Sequence, residues 1–261
     1  MFDYHMHTTV SFDGHDTGEA LARTAAARGL KEICFTDHLD YGPPDDPRIL
    51  TFTTEDYNRA YDNLSSHGLL IRRGFEFGMT PDNQEQLKKD LARRPFDFVL
   101  GSVHFVDGVD PWFDEYWEGR TMKEAYERYL EEVLACVKVH DDYDVLGHLT
   151  YVAKTPGNKT HDPLRYEDFP DISDEIMKIL VSKGKGMELN TSGVDATGDF
   201  LPPVTFIKRF KELGGEIITV GSDAHNESRV GQYTHRAAEH CKEIFGHVCT
   251  FENRKPIFHK L

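Results

Sequence analysis

Seven short apolar runs, separated by longer amphipathic ones, constrain this chain more than any other feature. The runs Phe2–His5, Ile33–Thr36, Leu70–Phe77, Phe98–Val103, Val145–Leu149, Gly186–Asn190 and Ile217–Gly221 have the length and composition of strands. Between them Thr17–Arg28, Thr54–Leu64, Pro81–Arg93, Met122–Lys138, Ile172–Lys183, Pro203–Leu213 and Tyr233–Phe245 carry helical patterns. Thr80-Pro81 reads as a cap followed by proline at the first helical position, and Gly29 and Gly214-Gly215 stand where helices should stop. Strict strand–helix alternation favours a parallel sheet with helices outside, and seven repeats favour closure into an α/β barrel. No GxGxxG follows the first strand, which speaks against an open dinucleotide fold. With 261 residues and no linker, repeat or low-complexity segment, one barrel domain over residues 1–261 is expected. The loops 39–53, 105–121 and 150–171 are long for such a domain, and long loops at one barrel face are usually functional.

Charge narrows the partners. The chain has 30 Lys+Arg against 45 Asp+Glu, a net −15, so a track for nucleic acid backbone is not expected. An anionic substrate must then be drawn by local positive charge. No apolar stretch approaches membrane-span length, and the opening Met-Phe-Asp-Tyr-His lacks a basic-then-apolar signal pattern. Cys34, Cys136, Cys241 and Cys249 form no CxxC pair and read as reduced structural thiols, so a cytoplasmic protein is expected. The 14 His residues are many for this length, and several lie in pairs or beside acids.

The first strand runs into His5-Met6-His7. Side chains alternate along a strand, so both imidazoles point to one side, about 7 Å apart at the backbone, and could share a cation. Asp37-His38 follows the second strand and Glu76 lies near the end of the third. His104 ends the fourth strand, Gly147-His148 the fifth, and Asp223-Ala224-His225 follows the seventh. In a parallel barrel those carboxyl ends converge on one face, so residues over 200 positions apart would meet in one pocket. Imidazole with carboxylate suits zinc, iron or manganese better than calcium, and thiolates are absent from the set.

In this order His5-x-His7, Thr36-Asp37-His38, Glu76, Gly101-Ser102-Val103-His104, Gly147-His148 and Ser222-Asp223-Ala224-His225 resemble the polymerase and histidinol phosphatase (PHP) superfamily over nearly the whole chain. Gly101–Val106 with Asp114, and Glu188-Leu189-Asn190-Thr191-Ser192-Gly193, are similar to its histidinol-phosphate phosphatase branch. The resemblance implies a distorted (β/α)7 TIM-like barrel with a metal cluster at the carboxyl-terminal face of the strands. It implies three divalent ions: one on His5, His7, Glu76 and Asp223, a second on Glu76, His104 and His148, and a third on Asp13, His38 and His225. Asp13 is preferred by its spacing from His7, with His15 two residues on as the alternative. Glu76, Asp223 and His225 would be catalytic, and Asp37 would orient a ligand imidazole. The implied reaction is hydrolysis of L-histidinol phosphate to L-histidinol and phosphate, in histidine biosynthesis, by a metal-activated hydroxide. Alternatives are another small phosphate ester or nucleotide as substrate, or a metal-binding regulatory module without turnover.

The loop after the fourth strand carries Trp112, Phe113, Tyr116 and Trp117 around Glu118 and Arg120. Arg120 could clamp phosphate while Glu118 and an aromatic hold a cationic imidazole or ammonium group, and packing among the aromatics explains part of the cluster. Arg165 is a second phosphate candidate. For Arg229 a salt bridge to an excess carboxylate is the commoner fate. Asn190, Ser192, Tyr151 and Lys154 could either meet substrate or stabilise turns. His161 and His235 are candidates for protonating a leaving alkoxide, with a metal-bound water as the alternative. His67, His140, His240, His247 and His259 read as ordinary core or surface residues.

Overall fold

In a computed structural model, residues 1–43 and 50–261 are described. The expected alternation is realised. Strands β1 (Phe2–Asp3), β2 (Glu32–Phe35), β3 (His38–Leu39), β4 (Leu70–Gly78), β5 (Phe98–Ser102), β6 (Val145–Leu146), β7 (Gly186–Asn190) and β8 (Ile218–Gly221) form one parallel sheet. Its order is β1-β2-β4-β5-β6-β7-β8, and the short β3 pairs with β4 beyond the end of β2. The sheet nearly closes into a barrel of seven strand positions. Tyr4 N donates to Val220 O at 2.9 Å, Asp223 N donates to His5 O at 2.8 Å, and Met6 pairs with Ala224.

The longer connecting helices are α1 (Gly18–Ala27), α2 (Thr54–Tyr61), α3 (Gln84–Leu91), α5 (Met122–Val139), α6 (Pro170–Ser182), α8 (Val204–Glu212) and α9 (Thr234–Ile244), with the one-turn α4 (Asp114–Trp117) and α7 (Val194–Thr197) in loops. Local chemistry sets their ends. Thr17 caps α1 by accepting from Ala20 N at 3.3 Å, and Thr121 with Glu124 forms a capping box on α5. Thr80-Pro81 does not open α3, contrary to the sequence expectation. Asn83 ties this segment into a turn by accepting from Thr80 N at 3.0 Å and donating to Gly78 O at 2.8 Å, and the helix starts only at Gln84.

One large apolar cluster lies among the strands and helices, and the stripe Tyr126, Tyr129, Leu130, Val133 and Val137 of α5 belongs to it. A smaller cluster joins Tyr4, Cys34, Phe98, Leu100 and Val145 to Cys249 and Phe251 of a carboxyl-terminal hairpin. That hairpin, β9 (His247–Glu252) and β10 (Lys255–Lys260), has no counterpart in the sequence reading. Its turn sits against the amino ends of the strands, where Arg254 N donates to Asp97 O at 2.9 Å. All four cysteines are buried and unpaired, as expected. No described helix is long and apolar enough to cross a membrane.

Candidate metal centre

Strand register assembles the centre. His38 of β3 pairs directly with Glu76 of β4, so their side chains start from neighbouring points on the sheet. The pairing of Met6 with Ala224 sets His5 and His7 beside Asp223 and His225 at the closure of the barrel. Asp223 adopts a left-handed φ of 54°, a strained choice for a non-glycine residue, which turns its carboxylate into the group.

All nine sequence-predicted donors meet here. His5 Nε2 lies 3.0 Å from His7 Nε2, 3.2 Å from Glu76 Oε2 and 3.5 Å from Asp223 Oδ1. His7 Nε2 lies 3.4 Å from both Glu76 Oε2 and Asp223 Oδ1. The other oxygen of Glu76 faces His148 Nε2 at 2.8 Å and His104 Nε2 at 3.3 Å, and those two nitrogens are 3.4 Å apart. Asp13 Oδ2 is 3.1 Å from His225 Nε2 and 3.5 Å from His38 Nε2. His15 is exposed beside this third group and its backbone N donates to His225 O at 2.8 Å.

This geometry fits divalent cations. Two imidazole Nε2 atoms at 3.0 Å can share at most one proton, and further donors converge on the same points. Glu76 Oε1 and Asp13 Oδ1 are buried and, among the described residues, accept no well-formed hydrogen bond. A buried carboxylate oxygen left so is costly unless a cation completes it. Without ions, protons hold the group together. Burial alone would push Glu76 up, but His5, His104, His38 and His148 hold it well below the usual carboxylate range. Burial also opposes charging His104, yet Asp40 and Glu76 outweigh it and raise its pKa to about 10. Burial, reinforced by His38 and His225, depresses His7 to about 3.

Outer contacts fix the rings. Glu188 Oε1 lies 2.8 Å from His5 Nδ1 while its Oε2 accepts from His148 N at 2.8 Å. Gly221 leaves the room this needs, since a Cβ there would lie 2.2 Å from Glu188 Oε1 and 2.4 Å from His5 Cβ. Asp37, expected to orient an imidazole, hydrogen-bonds to none among the described residues. It accepts from Thr8 N at 2.7 Å, from Ser11 Oγ at 3.0 Å and from Tyr61 Oη, and Ser11 Oγ in turn lies 3.3 Å from His7 Nδ1 and accepts from His38 N at 3.0 Å. The hydroxyl intervenes because Asp37 points away from the cluster into the loop 8–11.

A cleft of about 650 Å³ opens over these groups. The long loops supply its walls: Asp40 and Leu50 from the first, Phe105, Asp110 and Trp112 from the second, Tyr151 and Lys154 from the third. Among the described residues, Lys154 is the sole Lys or Arg of that wall. Its Nζ lies 2.5 Å from Asp223 Oδ2 and donates to Ser192 Oγ at 3.0 Å. The residues expected to hold substrate are not on the wall. Arg120 donates to Tyr116 O and stacks over the Tyr116 ring at 5.0 Å, Glu118 caps the end of α4, and Arg165 precedes a short 3-10 turn within electrostatic reach of Asp199. Arg229 forms the anticipated salt bridge, with Asp195. His161 and His235 are exposed off the wall, and His67, His140, His240, His247 and His259 lie outside the cluster. Sequence reasoning missed Asp40, whose only signal is its place two residues after His38, and left Lys154 open.

The fold and this site define a metal-binding barrel of the phosphoesterase type. The chain belongs to the PHP domain family, whose sequence profile matches residues 3–192. It is 31% identical to the histidinol-phosphatase of Lactococcus lactis over 97% of this chain and 95% of that one. It is 30% identical to the probable histidinol-phosphatase of Clostridium acetobutylicum over 99% of this chain and 96% of that one. The crystal structure of the Lactococcus lactis histidinol phosphate phosphatase, complexed with zinc, L-histidinol and phosphate, superposes with a TM-score of 0.81 at 27% identity, covering 98% of both chains.

Proposed function

We propose that this chain is a divalent-metal phosphomonoesterase that hydrolyses L-histidinol phosphate to L-histidinol and phosphate, a step of histidine biosynthesis, in the cytoplasm. The observation that carries the reading is the convergence of six imidazoles and three carboxylates at one barrel face, in a chain alike over its full length to histidinol-phosphatases. His5, His7, Glu76 and Asp223 would hold one ion, Glu76, His104 and His148 a second, and Asp13, His38 and His225 a third, zinc, iron or manganese suiting these donors. Such ions supply the positive charge that a phosphate dianion needs and bring water into its reactive range near neutral pH.

The chain's own residues do the rest. Glu76 presents Oε1 to His104 and His148 and Oε2 to His5, His7 and His38, and so links the donor groups. Asp223 offers Oδ1 to His5 and His7 while Lys154 and Ser192 hold Oδ2, which locks its orientation. His225 stands at the mouth, a quarter exposed, where a substrate enters. Lys154 adds positive charge beside the phosphate end of the cleft, while Phe105 and Trp112 form an apolar wall against which an imidazole can lie. Asp110 on the same wall favours a cationic amine. In this reading Arg120, Arg165 and Glu118 contribute to the shape of the loops. With a net −15 and one described cation on the wall, long nucleic acid is not a substrate.

Phosphate release by zinc- or manganese-loaded protein tests the reading, with L-histidinol phosphate beside a panel of nucleotide and sugar monophosphates. Preference for histidinol phosphate at kcat/KM of about 10⁴ M⁻¹s⁻¹ or better, abolished in His104→Ala, is expected. Indifferent hydrolysis of the panel refutes the substrate, and a metal-loaded protein that hydrolyses nothing refutes the enzyme.

A further inference from the structure

Asp40 is buried at the floor of the cleft and lies between two imidazoles that belong to different donor groups. Its Oδ1 and Oδ2 are 3.0 and 3.1 Å from His104 Nδ1, and its Oδ2 lies 3.0 Å from His38 Nδ1, a nitrogen that is also 3.3 Å from Glu76 Oε2. The opposite nitrogens of the same rings face the cluster: His104 Nε2 lies against Glu76 and His148, His38 Nε2 against Asp13. A carboxylate on Nδ1 keeps the proton there and leaves the Nε2 lone pair for a cation.

The fold is built to put that carboxylate there. Asp40 N donates to Leu50 O at 2.9 Å, which pins its backbone across the loop. The next residue, Tyr41, is held through its hydroxyl, which donates to Asp90 at 3.0 Å and accepts from Gln86 at 2.9 Å and Arg93 at 3.1 Å. β4 ends in Gly78, where a Cβ would fall 1.7 Å from Asp40 Oδ1, so no other residue there leaves room for the carboxylate. By contrast, Glu188 meets the His5 ring and the His148 backbone N, and the Nδ1 of His225 lies 2.9 Å from the Asp223 carbonyl and 3.6 Å from its Oδ1.

We infer that Asp40 is a positioning residue that sets the ring orientation and tautomer of both His38 and His104, so that a single carboxylate supports the inner position shared by Glu76, His104 and His148 and the outer position at Asp13, His38 and His225. The inference rests on the proposed metal-dependent reading. The reciprocal case is Glu188, which supports the positions containing His5 and His148 and leaves the outer position alone. The two carboxylates therefore divide the cluster.

The test compares full-length wild type, Asp40→Asn and Glu188→Gln, each loaded with zinc and dialysed against graded chelator. Zinc per chain is counted, and nitrogen-15 resonances of the histidine rings report which rings have lost their ion. Asp40→Asn should release zinc from His38 and His104 at chelator activities about 10- to 100-fold lower than wild type, with the His5 and His7 rings unchanged. Glu188→Gln should perturb the His5 ring and spare His38. Turnover should fall through kcat more than KM, because the rings and not the cleft walls are disturbed. Should Asp40→Asn fail to fold by circular dichroism, Tyr41→Phe loosens the same loop with the carboxylate retained, and the same two rings should respond with a smaller shift. Wild-type zinc retention with unchanged His38 and His104 signals in the folded variant overturns the inference. So does release from one of the two rings only, which would make Asp40 a partner of a single position. Wild-type protein that binds no zinc refutes the metal reading itself, an outcome separate from either.

Discussion

The two ends of the barrel bury similar side chains to opposite effect. At the amino end, Glu32 receives Tyr4 Oη at 2.5 Å and Arg72 Nε at 2.8 Å, Arg72 reaches Glu252 at 2.7 Å, and Arg254 pairs with Asp144. Each of these carboxylates has a cation or hydroxyl from the protein. At the carboxyl end Glu76, Asp13 and Asp223 meet imidazoles, and among the described residues Lys154 is the one Lys or Arg paired with these three. The satisfied network seals the barrel, whereas the other leaves lone pairs converging on shared points. Buried charge by itself therefore does not mark a site; several imidazole and carboxylate donors converging on shared points do.

The sharpest test of this contrast is Glu76→Gln. It removes the carboxylate that faces His5, His7, His38, His104 and His148, so zinc content and turnover should collapse together, kcat falling about 10³-fold or more, equivalent to about 4 kcal/mol. Metal-free stability near neutral pH should fall as well, since the ionised Glu76 is the counter-charge of the imidazoles His5, His104 and His38. A variant that keeps wild-type kcat would break the contrast outright. At the other end Arg254→Ala leaves Asp144, which also accepts from Val99 N at 2.8 Å, without its cation. Stability should drop by about 2 kcal/mol in chemical denaturation while kcat per bound metal stays the same.

Proton linkage gives a third test. In the metal-free protein Asp40 and Glu76 outweigh burial and raise the His104 pKa to about 10, above its unfolded value. Its contribution to metal-free stability is then complete below the unfolded pKa of about 6.5 and lost as pH rises through about 10. Metal requires the neutral ring, so loading zinc at pH 8 should release protons into weakly buffered solution, and affinity should fall as the pH is lowered. Zinc binding without proton release contradicts this. The smallest effect is expected at Arg120. Its guanidinium lies against Tyr116 and 3.9 Å from Asp107, so Arg120→Met should change kcat/KM by less than about 3-fold.

Much of this was legible in the sequence because the determinants are local or periodic. Period-2 and period-3.6 apolar patterns locate each expected strand and helix to within a few residues, and the chemistry-bearing residues sit where strands end. The resemblance sorted the nine donors into groups, and the register of His38 with Glu76 sets two of them side by side. The misses have separate causes. The start of α3 depends on the Asn83 side chain closing a turn onto Thr80, and the β9–β10 hairpin pairs locally through Asn253 and Arg254, both at positive φ, and is seated on the barrel by contacts to Asp97 and Tyr4.

The sequence by itself determined the barrel and the inventory of donors, since strand alternation and the chemistry of His, Asp and Glu are properties of single residues and their spacing. Only the tertiary structure decided which neutral-looking positions matter. Arg120 and Lys154 are equally cationic on paper, yet one is spent on its own loop and the other reaches Asp223. Asp40 and Asp37 flank the same histidine, but one turns into the cleft and the other into the loop behind it. Direction in space follows from backbone angles and long-range contacts, and these exist only once the chain has closed.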